Sequence, residues 1–251
     1  MEKKKQEIRF LGIEFSVSLR FKPYLVPRYR LLPDDRKNFY EIIRKDQPRK
    51  LYLDIEYHKT AEANQDIDER FAVQTIIQSL VEFVQIYFDV EAERSDFLIL
   101  DSSSEKKFSR HVIMAGDNKL IFEDNATLKA FVLKYLEFCA SRSENDVKTR
   151  IIDKRVYSEN QQFRILFSWK AKEDEKPRVF RVADDNQFEP PMETSDMTED
   201  GAFFLSSLVL NVDSGDFSKR IGFDDLPFAT LKKHPRARSK DHSGNRRDTG
   251  V

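Results

Sequence analysis

Alternation of apolar and polar residues predicts β-strands along much of the chain. Near the N-terminus, apolar residues occupy every second position of one segment: Ile13, Phe15, Val17, Leu19 and Phe21. This period of two is typical of a strand with one buried face. Shorter runs of the same character predict further strands at residues 50–57, 96–101, 109–115, 149–153, 162–168 and 177–182.

Three other segments have the spacing of amphipathic helices. The clearest covers residues 68–88, where apolar side chains recur at intervals of three and four. A second covers residues 126–141, with Asp124 or Asn125 as its N-cap, and a third covers residues 199–211. Helices mixed with strands in this order place the fold in the α/β or α+β class.

Composition narrows the class of protein. The chain has 251 residues, and its 43 Lys and Arg against 44 Asp and Glu give a net charge of −1, which neither favours nor excludes a nucleic-acid partner. Its 21 Phe and 8 Tyr exclude a wholly disordered chain. No long uninterrupted apolar run is present, so we expect no transmembrane segment. With a single cysteine, Cys139, we expect neither a disulfide framework nor a Cys-rich zinc site.

The segment 51–57 places two acids on one face of a predicted strand. Because side chains alternate along a strand, Asp54 and Glu56 project to the same side, opposite the apolar residues. Two unit charges about 4 Å apart repel by roughly 4 kcal/mol at an effective dielectric constant near 20, so water, a proton, a basic neighbour or a divalent cation must offset them. Hard carboxylate oxygens suit Mg²⁺ or Mn²⁺, while the ordinary alternative is the polar face of an exposed edge strand.

A second polar segment, residues 101–113, leads from a Ser-rich turn into another predicted strand. The period of two puts Lys107, Ser109 and His111 on one face. An ammonium, a hydroxyl and an imidazole in a row are donors that can reach phosphate oxygens. The alternative is a buried histidine satisfied by a neighbour. Serine–histidine nucleophilic catalysis is disfavoured, because side chains two residues apart on one strand splay away from each other.

A third segment supplies another acid and more positive charge. Two isoleucines precede Asp153, and a turn then leads to a strand that contains Arg164 and ends near Lys170. By itself, an aspartate at the end of a strand is usually a turn-former or a helix cap. Together, the three segments offer acids to hold two cations and basic or donor groups to neutralise phosphates, which is what metal-assisted phosphoryl or nucleotidyl transfer requires.

The same segments resemble a known superfamily. The sequences Leu-Tyr-Leu-Asp54-Ile-Glu56, Lys107-Phe-Ser109-Arg-His111 and Ile-Asp153 occur in the order of the Asp-x-Glu, Ser-x-His and hydrophobic-Asp motifs of the archaeo-eukaryotic primase superfamily. Within it they are similar to the eukaryotic primase-polymerase (PrimPol) family, and residues 203–212 resemble a helix that follows the third motif there. The resemblance runs from about residue 39 to residue 212.

The resemblance implies an α+β fold, namely the primase catalytic core with an RRM-like mixed sheet and flanking helices. It implies that Asp54, Glu56 and Asp153 are catalytic residues that bind two Mn²⁺ or Mg²⁺ ions. Residues implied to bind the triphosphate of the incoming nucleotide are Lys107, Ser109, His111, Gln161, Gln162, Arg164 and Lys170. A primer 3′-hydroxyl would attack the α-phosphorus of that nucleotide and release pyrophosphate.

The resemblance also implies a cellular role and a set of partners. The activity would be that of a template-dependent DNA primase/polymerase in DNA damage tolerance and replication fork restart. Its partners would be a DNA template, a primer, an NTP or dNTP and a single-strand-binding protein, with no membrane. Its location would be the nucleus and the mitochondrion.

Domain boundaries follow from where the resemblance holds. We expect an N-terminal strand region at residues 1–38 that does not match the family, a catalytic core at residues 39–231 and a basic disordered tail at residues 232–251. Relatives carry an arginine where this chain has Gln161, which predicts a weaker nucleotide or template contact there. We expect no zinc module, so primer extension survives where primer initiation does not.

Two alternatives remain open from the sequence. One is a catalytically weak, primase-like module that binds DNA without turnover, which the missing flanking modules favour. The other is a metal-dependent nuclease that uses the same carboxylates, although it assigns no role to the strand that carries the lysine, serine and histidine.

Overall fold

The computed structural model describes residues 6–10, 13–17, 31–117, 119–143, 147–170, 178–192, 197–212 and 219–227. The predicted basic tail at residues 232–251 lies outside the described residues, as do residues 18–21 of the first predicted strand.

Strands and helices are interspersed along the chain, which confirms the α+β class. The strands are β1 (Gln6–Phe10), β2 (Ile13–Val17), β3 (Phe39–Ile43), β4 (Arg49–Lys50), β5 (Tyr52–His58), β6 (Phe97–Asp101), β7 (Lys107–Met114), β8 (Leu120–Phe122), β9 (Gln161–Arg164), β10 (Arg181–Val182) and β11 (Lys219–Ile221). The helices are α1 (Glu69–Phe88), α2 (Asn125–Arg142), α3 (Lys148–Ile151) and α4 (Glu199–Ser207). A 3₁₀ turn, Lys154–Tyr157, follows α3.

The strands form three small sheets. Two of them are antiparallel throughout, in the orders β2-β1-β3-β9 and β10-β6-β7-β5. The third has the order β11-β8-β4, and its β11–β8 pairing is parallel. Backbone hydrogen bonds from Leu51 to Leu120 and from Met114 to Leu51 connect the second sheet to the third.

The alternating sequence of strand β5 places its two acids on the face opposite its apolar residues. Its alternate residues Leu53, Ile55 and Tyr57 are buried in the main core, whereas Asp54 and Glu56 face the other way and are half-buried. This division follows from the two-residue period of an extended chain. One face of β5 therefore contributes to stability, and the other is available for chemistry.

Helices α1 and α2 pack against each other through aromatic side chains. The rings of Phe83 and Phe131 meet edge to face with centroids 5.2 Å apart, and the Tyr135 hydroxyl donates to the Ile76 carbonyl at 3.0 Å. By length and composition alone α1 could cross a membrane, but eight of its side chains are buried in the same cluster as the sheet residues. Its packing is that of a core helix.

A buried carboxylate fastens the segment after α4 to the first sheet. Glu41 on β3 has no exposed surface and accepts hydrogen bonds from the backbone N–H groups of Val209 and Leu210 at 2.8 and 3.0 Å. The Lys50 amide donates to the Val209 carbonyl at 2.9 Å, so the same segment also contacts β4. Buried backbone donors need such partners, and Glu41 supplies them here.

The structure differs from the sequence prediction in several elements. The strand predicted at 149–153 is wrong: residues 148–151 form one helical turn, and only Ile152 makes a strand-like bridge. A short apolar run cannot be assigned from periodicity alone, and here the turn buries Ile151. Helix α4 ends at Ser207, four residues before the predicted end.

Strand β9 is shorter than predicted, and the sequence pattern did not reveal β1, β3, β8 or β11. These strands are three to five residues long, so they show too few periods for the pattern to be read.

Candidate active site

Two carboxylates on β5 lie directly opposite the polar residues of β7. In the register of this antiparallel pair, Asp54 faces His111 and Glu56 faces Ser109. Directly opposed residues have Cβ atoms about 4.5–5.5 Å apart. The polar faces of the two strands therefore form one continuous surface, as the two sequence patterns require.

The third carboxylate reaches this surface from a distant part of the chain. Ile152 forms a bridge with Ile55, and the Asp153 amide donates to the Asp54 carbonyl at 2.8 Å. Asp153 thus lies beside Asp54 even though 99 positions separate them in the sequence. The three predicted metal-binding acids occupy one location.

Buried hydroxyl groups hold the segment that carries Asp153. The Tyr157 hydroxyl donates to the Tyr52 carbonyl at 2.8 Å, and the Tyr52 hydroxyl donates to the Val156 carbonyl at 2.9 Å. The Asn125 amide adds a bond to the Ser158 carbonyl at 2.9 Å. Because all of these side chains are buried, they fix the 3₁₀ turn after Asp153 against β5.

Two basic side chains contact the acids. The Lys107 ammonium donates to Glu56 at 2.5 Å. The Arg155 guanidinium donates to both oxygens of Asp153 at 2.8–3.1 Å and lies 3.5 Å from Glu56. The hydrogen bonds from Arg155 lower the pKa of Asp153.

Among the described residues Asp54 forms no ion pair with a lysine or arginine, and the more distant charges of Arg164 and Lys107 only partly offset the rise of its pKa. Only 16% of its side-chain surface is exposed, and its contact with a nitrogen is a 3.9 Å approach by His111 Nε2. Burial raises the pKa of Asp54 to about 7, and the negative charges of Glu56 and Asp153 add to the shift. A carboxylate held in this way gains much from an additional cation.

We expect replacement of Asp54 by Asn to stabilise the metal-free protein in a pH-dependent manner. The pKa of Asp54 is higher in the folded state than its ordinary value of 3.8, so the folded state binds more protons between pH 4 and 7 and loses stability as the pH rises. Above pH 7, where Asp54 is ionised, its ionisation lowers the free energy of unfolding of the wild-type protein by about 2–4 kcal/mol. Urea unfolding in a chelator at pH 8 should show that gain in Asp54→Asn.

The gain in Asp54→Asn should shrink towards zero near pH 4. A matched control is Asp101→Asn on the neighbouring β6, which breaks an ion pair with Arg110 and should not stabilise the protein. A difference between wild type and Asp54→Asn that stays constant from pH 4 to pH 8 would contradict the assignment.

His111 is more buried than a free phosphate donor would be. Its ring stacks on Phe163 at a centroid distance of 4.0 Å and lies equally close to Phe180, with 3% of the residue exposed. Burial, assisted by the charge of Arg164, lowers its pKa, so the imidazole is neutral. Its Nδ1 has no hydrogen-bond partner among the described residues. Because native proteins satisfy nearly all of their buried polar atoms, this unpartnered nitrogen is an exception within the described part of the chain.

The structure also brings Ser109 and Arg164 together. Ser102 on the preceding turn links them, since its hydroxyl donates to the Ser109 hydroxyl at 3.2 Å and accepts from Arg164 at 3.1 Å. The Arg164 guanidinium stacks 4.0 Å above the Phe180 ring.

Within the described part of the chain, the remaining predicted nucleotide-binding residues form no hydrogen bond or ion pair with the three acids. Gln161 uses its amide within its own turn, where it accepts from the Ser158 hydroxyl at 2.7 Å and donates to the Gln162 carbonyl. Gln162 is exposed. Lys170 is also exposed and forms no ion pair with the three acids.

Sequence reasoning missed Arg155, Ser102 and Phe180 as parts of this site. The Asp-x-Arg spacing at Asp153 was a readable sign of a local ion pair. Nothing local indicated the other two residues, because their roles depend on strands that pair across many residues.

The donor set suits a hard divalent cation, because three carboxylates converge and one of them is only partly compensated. Within the described part of the chain, however, no three His, Cys, Asp or Glu side chains are arranged to hold a metal ion as they stand. Glu56 is turned towards Lys107, and Asp153 is turned towards Arg155. Cations would be held by Asp54, Glu56 and Asp153 once those two basic groups move.

Comparison with known proteins identifies the class to which this α+β chain is related. It is a distant homologue of the DNA-directed primase/polymerase (PrimPol) proteins. The Mus musculus protein of that name is 28% identical over 70% of this chain and 41% of its own length. The Bos taurus protein is 27% identical over 89% of this chain, and the Homo sapiens protein is 24% identical over 84%.

The homology covers much of this chain but only part of each relative. The chain spans about half the length of the curated relatives that it matches, between 39% and 52%. No protein-family model matches the chain. The distant homology confirms the resemblance to PrimPol.

Proposed function

We propose that this protein is a template-dependent nucleotidyltransferase that extends nucleic-acid chains on a DNA template. The observation that carries the proposal is the meeting of Asp54, Glu56 and Asp153 opposite the polar face of β7. Three acids from distant segments would repel one another without cations between them. The distant homology to primase/polymerase proteins supports the same reaction class.

The basic and polar groups around the acids suit the triphosphate of an incoming nucleotide. Lys107 and Arg164 supply positive charge, and Ser109 supplies a hydroxyl donor. The buried His111 ring supports this surface from below, with its Nε2 3.9 Å from Asp54 Oδ1. Their positions on strands β7 and β9 give the rigidity that positions a reacting phosphate.

The carboxylates would hold Mn²⁺ or Mg²⁺, which would activate the primer 3′-hydroxyl and stabilise the departing pyrophosphate. The role of the chain's own residues is to orient the nucleotide so that its α-phosphorus faces that hydroxyl. Lys107, now paired with Glu56, would turn to the phosphates when the acids receive another cation.

The finer features of the primase family are part of the same proposal. They are an RRM-like arrangement of the catalytic core within residues 39–231, extension of existing primers, and a role in replication fork restart in the nucleus and mitochondrion. Partners would be a DNA template and primer, an NTP or dNTP and a single-strand-binding protein.

Primer extension tests the proposal directly. The wild-type protein is incubated with a labelled primer on a DNA template, Mn²⁺ and dNTPs, and products are resolved by length. We expect longer products whose sequence is complementary to the template. In the proposed reaction, base pairing with the template selects the incoming nucleotide, and the protein does not.

The same assay separates the two alternatives. DNA binding by fluorescence anisotropy with no extension would favour a binding module. Shortening of the labelled strand without added dNTP would instead favour a nuclease. Either result would overturn the proposed polymerisation.

A further inference from the structure

The guanidinium of Arg155 places a positive charge of the chain itself beside the acids. Arg155 contacts both oxygens of Asp153, with Nε–Oδ1 and Nη2–Oδ2 distances of 2.9 and 2.8 Å. The same guanidinium lies 3.5 Å from Glu56 Oε1. A single side chain therefore spans two of the three acids that the proposed function assigns to divalent cations.

A second Asp-x-Arg sequence in the chain shows which part of this contact is ordinary. Asp68 caps helix α1, and Arg70 donates to it through its backbone N–H, Nε and Nη2 at 3.0, 3.1 and 2.8 Å. Arg70 and Arg155 are 81% and 82% exposed. The local motif is thus the same at both places, and only Arg155 reaches a second carboxylate.

The contact can open without disturbing the fold. The Arg155 side chain is mostly in solvent, so its ion pairs are of the weak, exposed kind. Asp153 is only 13% exposed and keeps its backbone bond to Asp54 when the guanidinium leaves. Arg155 occupies one acceptor direction on each Asp153 oxygen, so a cation that approaches from that side must compete with the guanidinium.

We propose that Arg155 is a tethered cation that competes with divalent metal ions for the Glu56–Asp153 edge of the site. This inference rests on the proposed function, because it assumes that the three acids bind metal. The inference adds a way in which the chain itself limits its affinity for metal. Arg155 partly neutralises the acids, and a metal ion must displace the Arg155 guanidinium in order to bind.

Binding of Mn²⁺ alone tests the competition without any need for turnover. The full chain is titrated with Mn²⁺ in the absence of nucleotide, and free Mn²⁺ is measured by electron paramagnetic resonance. We expect Arg155→Ala to bind Mn²⁺ about 3- to 10-fold more tightly than wild type, as estimated for one screened unit charge close to the ion. Arg155→Lys keeps the positive charge but loses the planar guanidinium that contacts both oxygens. Its Mn²⁺ affinity should lie between those of wild type and Arg155→Ala.

Arg70→Ala is the matched control, because it removes an equally exposed guanidinium from the same local motif. Its Mn²⁺ affinity should equal that of wild type. Melting in a chelator gives a second readout: Arg155→Ala should melt about 1–3 °C below wild type, and added Mn²⁺ should raise its melting temperature by more than that of wild type.

Two results would overturn the inference in distinguishable ways. If wild type binds Mn²⁺ and Arg155→Ala binds it equally or more weakly, the competition is refuted while the metal site stands. If neither protein binds Mn²⁺, the proposed function fails, and the competition fails with it.

Discussion

Primer extension is expected to fall at least ~1000-fold when Asp54 and Glu56 are replaced together by Asn and Gln. The substitutions keep the size and polarity of both side chains but remove the charges that would hold the cations. Loss of cation stabilisation costs several kcal/mol in the transition state, and each 1.36 kcal/mol is a factor of ten in rate. Single-turnover extension at saturating dNTP and Mn²⁺ measures the effect.

The chain offers a closely matched control for this double variant. Asp89 and Glu91 have the same Asp-x-Glu spacing but follow the end of α1 and are not part of strand β5. Asp89 adopts a left-handed conformation with φ of 53°, which asparagine tolerates, so Asp89→Asn with Glu91→Gln should fold. We expect this control to extend primers as well as wild type does. If the Asp54/Glu56 variant also extends them fully, the proposed chemistry is wrong.

The second large effect concerns stability rather than activity. Glu41→Ala is expected to lower the free energy of unfolding by about 3–5 kcal/mol, because it leaves the buried N–H groups of Val209 and Leu210 without their carboxylate acceptor. Urea unfolding at neutral pH measures the loss. Glu41→Gln should lose less, since one of the two oxygens remains.

An exposed glutamate provides the comparison for Glu41. Glu137 is 64% exposed on α2 and pairs with Lys134 one turn earlier. Its replacement by Ala should change stability by about 0.5 kcal/mol or less. If Glu41→Ala and Glu137→Ala lower the free energy of unfolding equally, the hydrogen bonds that Glu41 accepts are not a major source of stability.

The parts of the site that the sequence predicted are those that depend on local periodicity. Asp54 and Glu56 share a face because an extended chain alternates, and the same rule aligns Lys107, Ser109 and His111. Helices α1 and α2 were predictable because each shows several turns of apolar spacing. The α+β class followed from these elements.

The rest of the site depends on contacts between distant segments. Residues 149–153 contain too short an apolar run to distinguish a helical turn from a strand, and the bridge between Ile55 and Ile152 has no local sign. The aromatic pocket of His111 likewise requires Phe163 and Phe180, which lie 52 and 69 positions further along the chain. Sequence pattern alone does not predict such long-range contacts.

The attachment of Asp153 to β5 has a consequence for how the protein matures. The ribosome makes β5 and β7 long before it reaches Asp153, so a nascent or truncated chain holds two of the acids without the third. Tertiary closure over about a hundred residues is slow compared with local structure formation. The three acids therefore come together only late in folding, as the Tyr52 and Tyr157 hydroxyls form their hydrogen bonds.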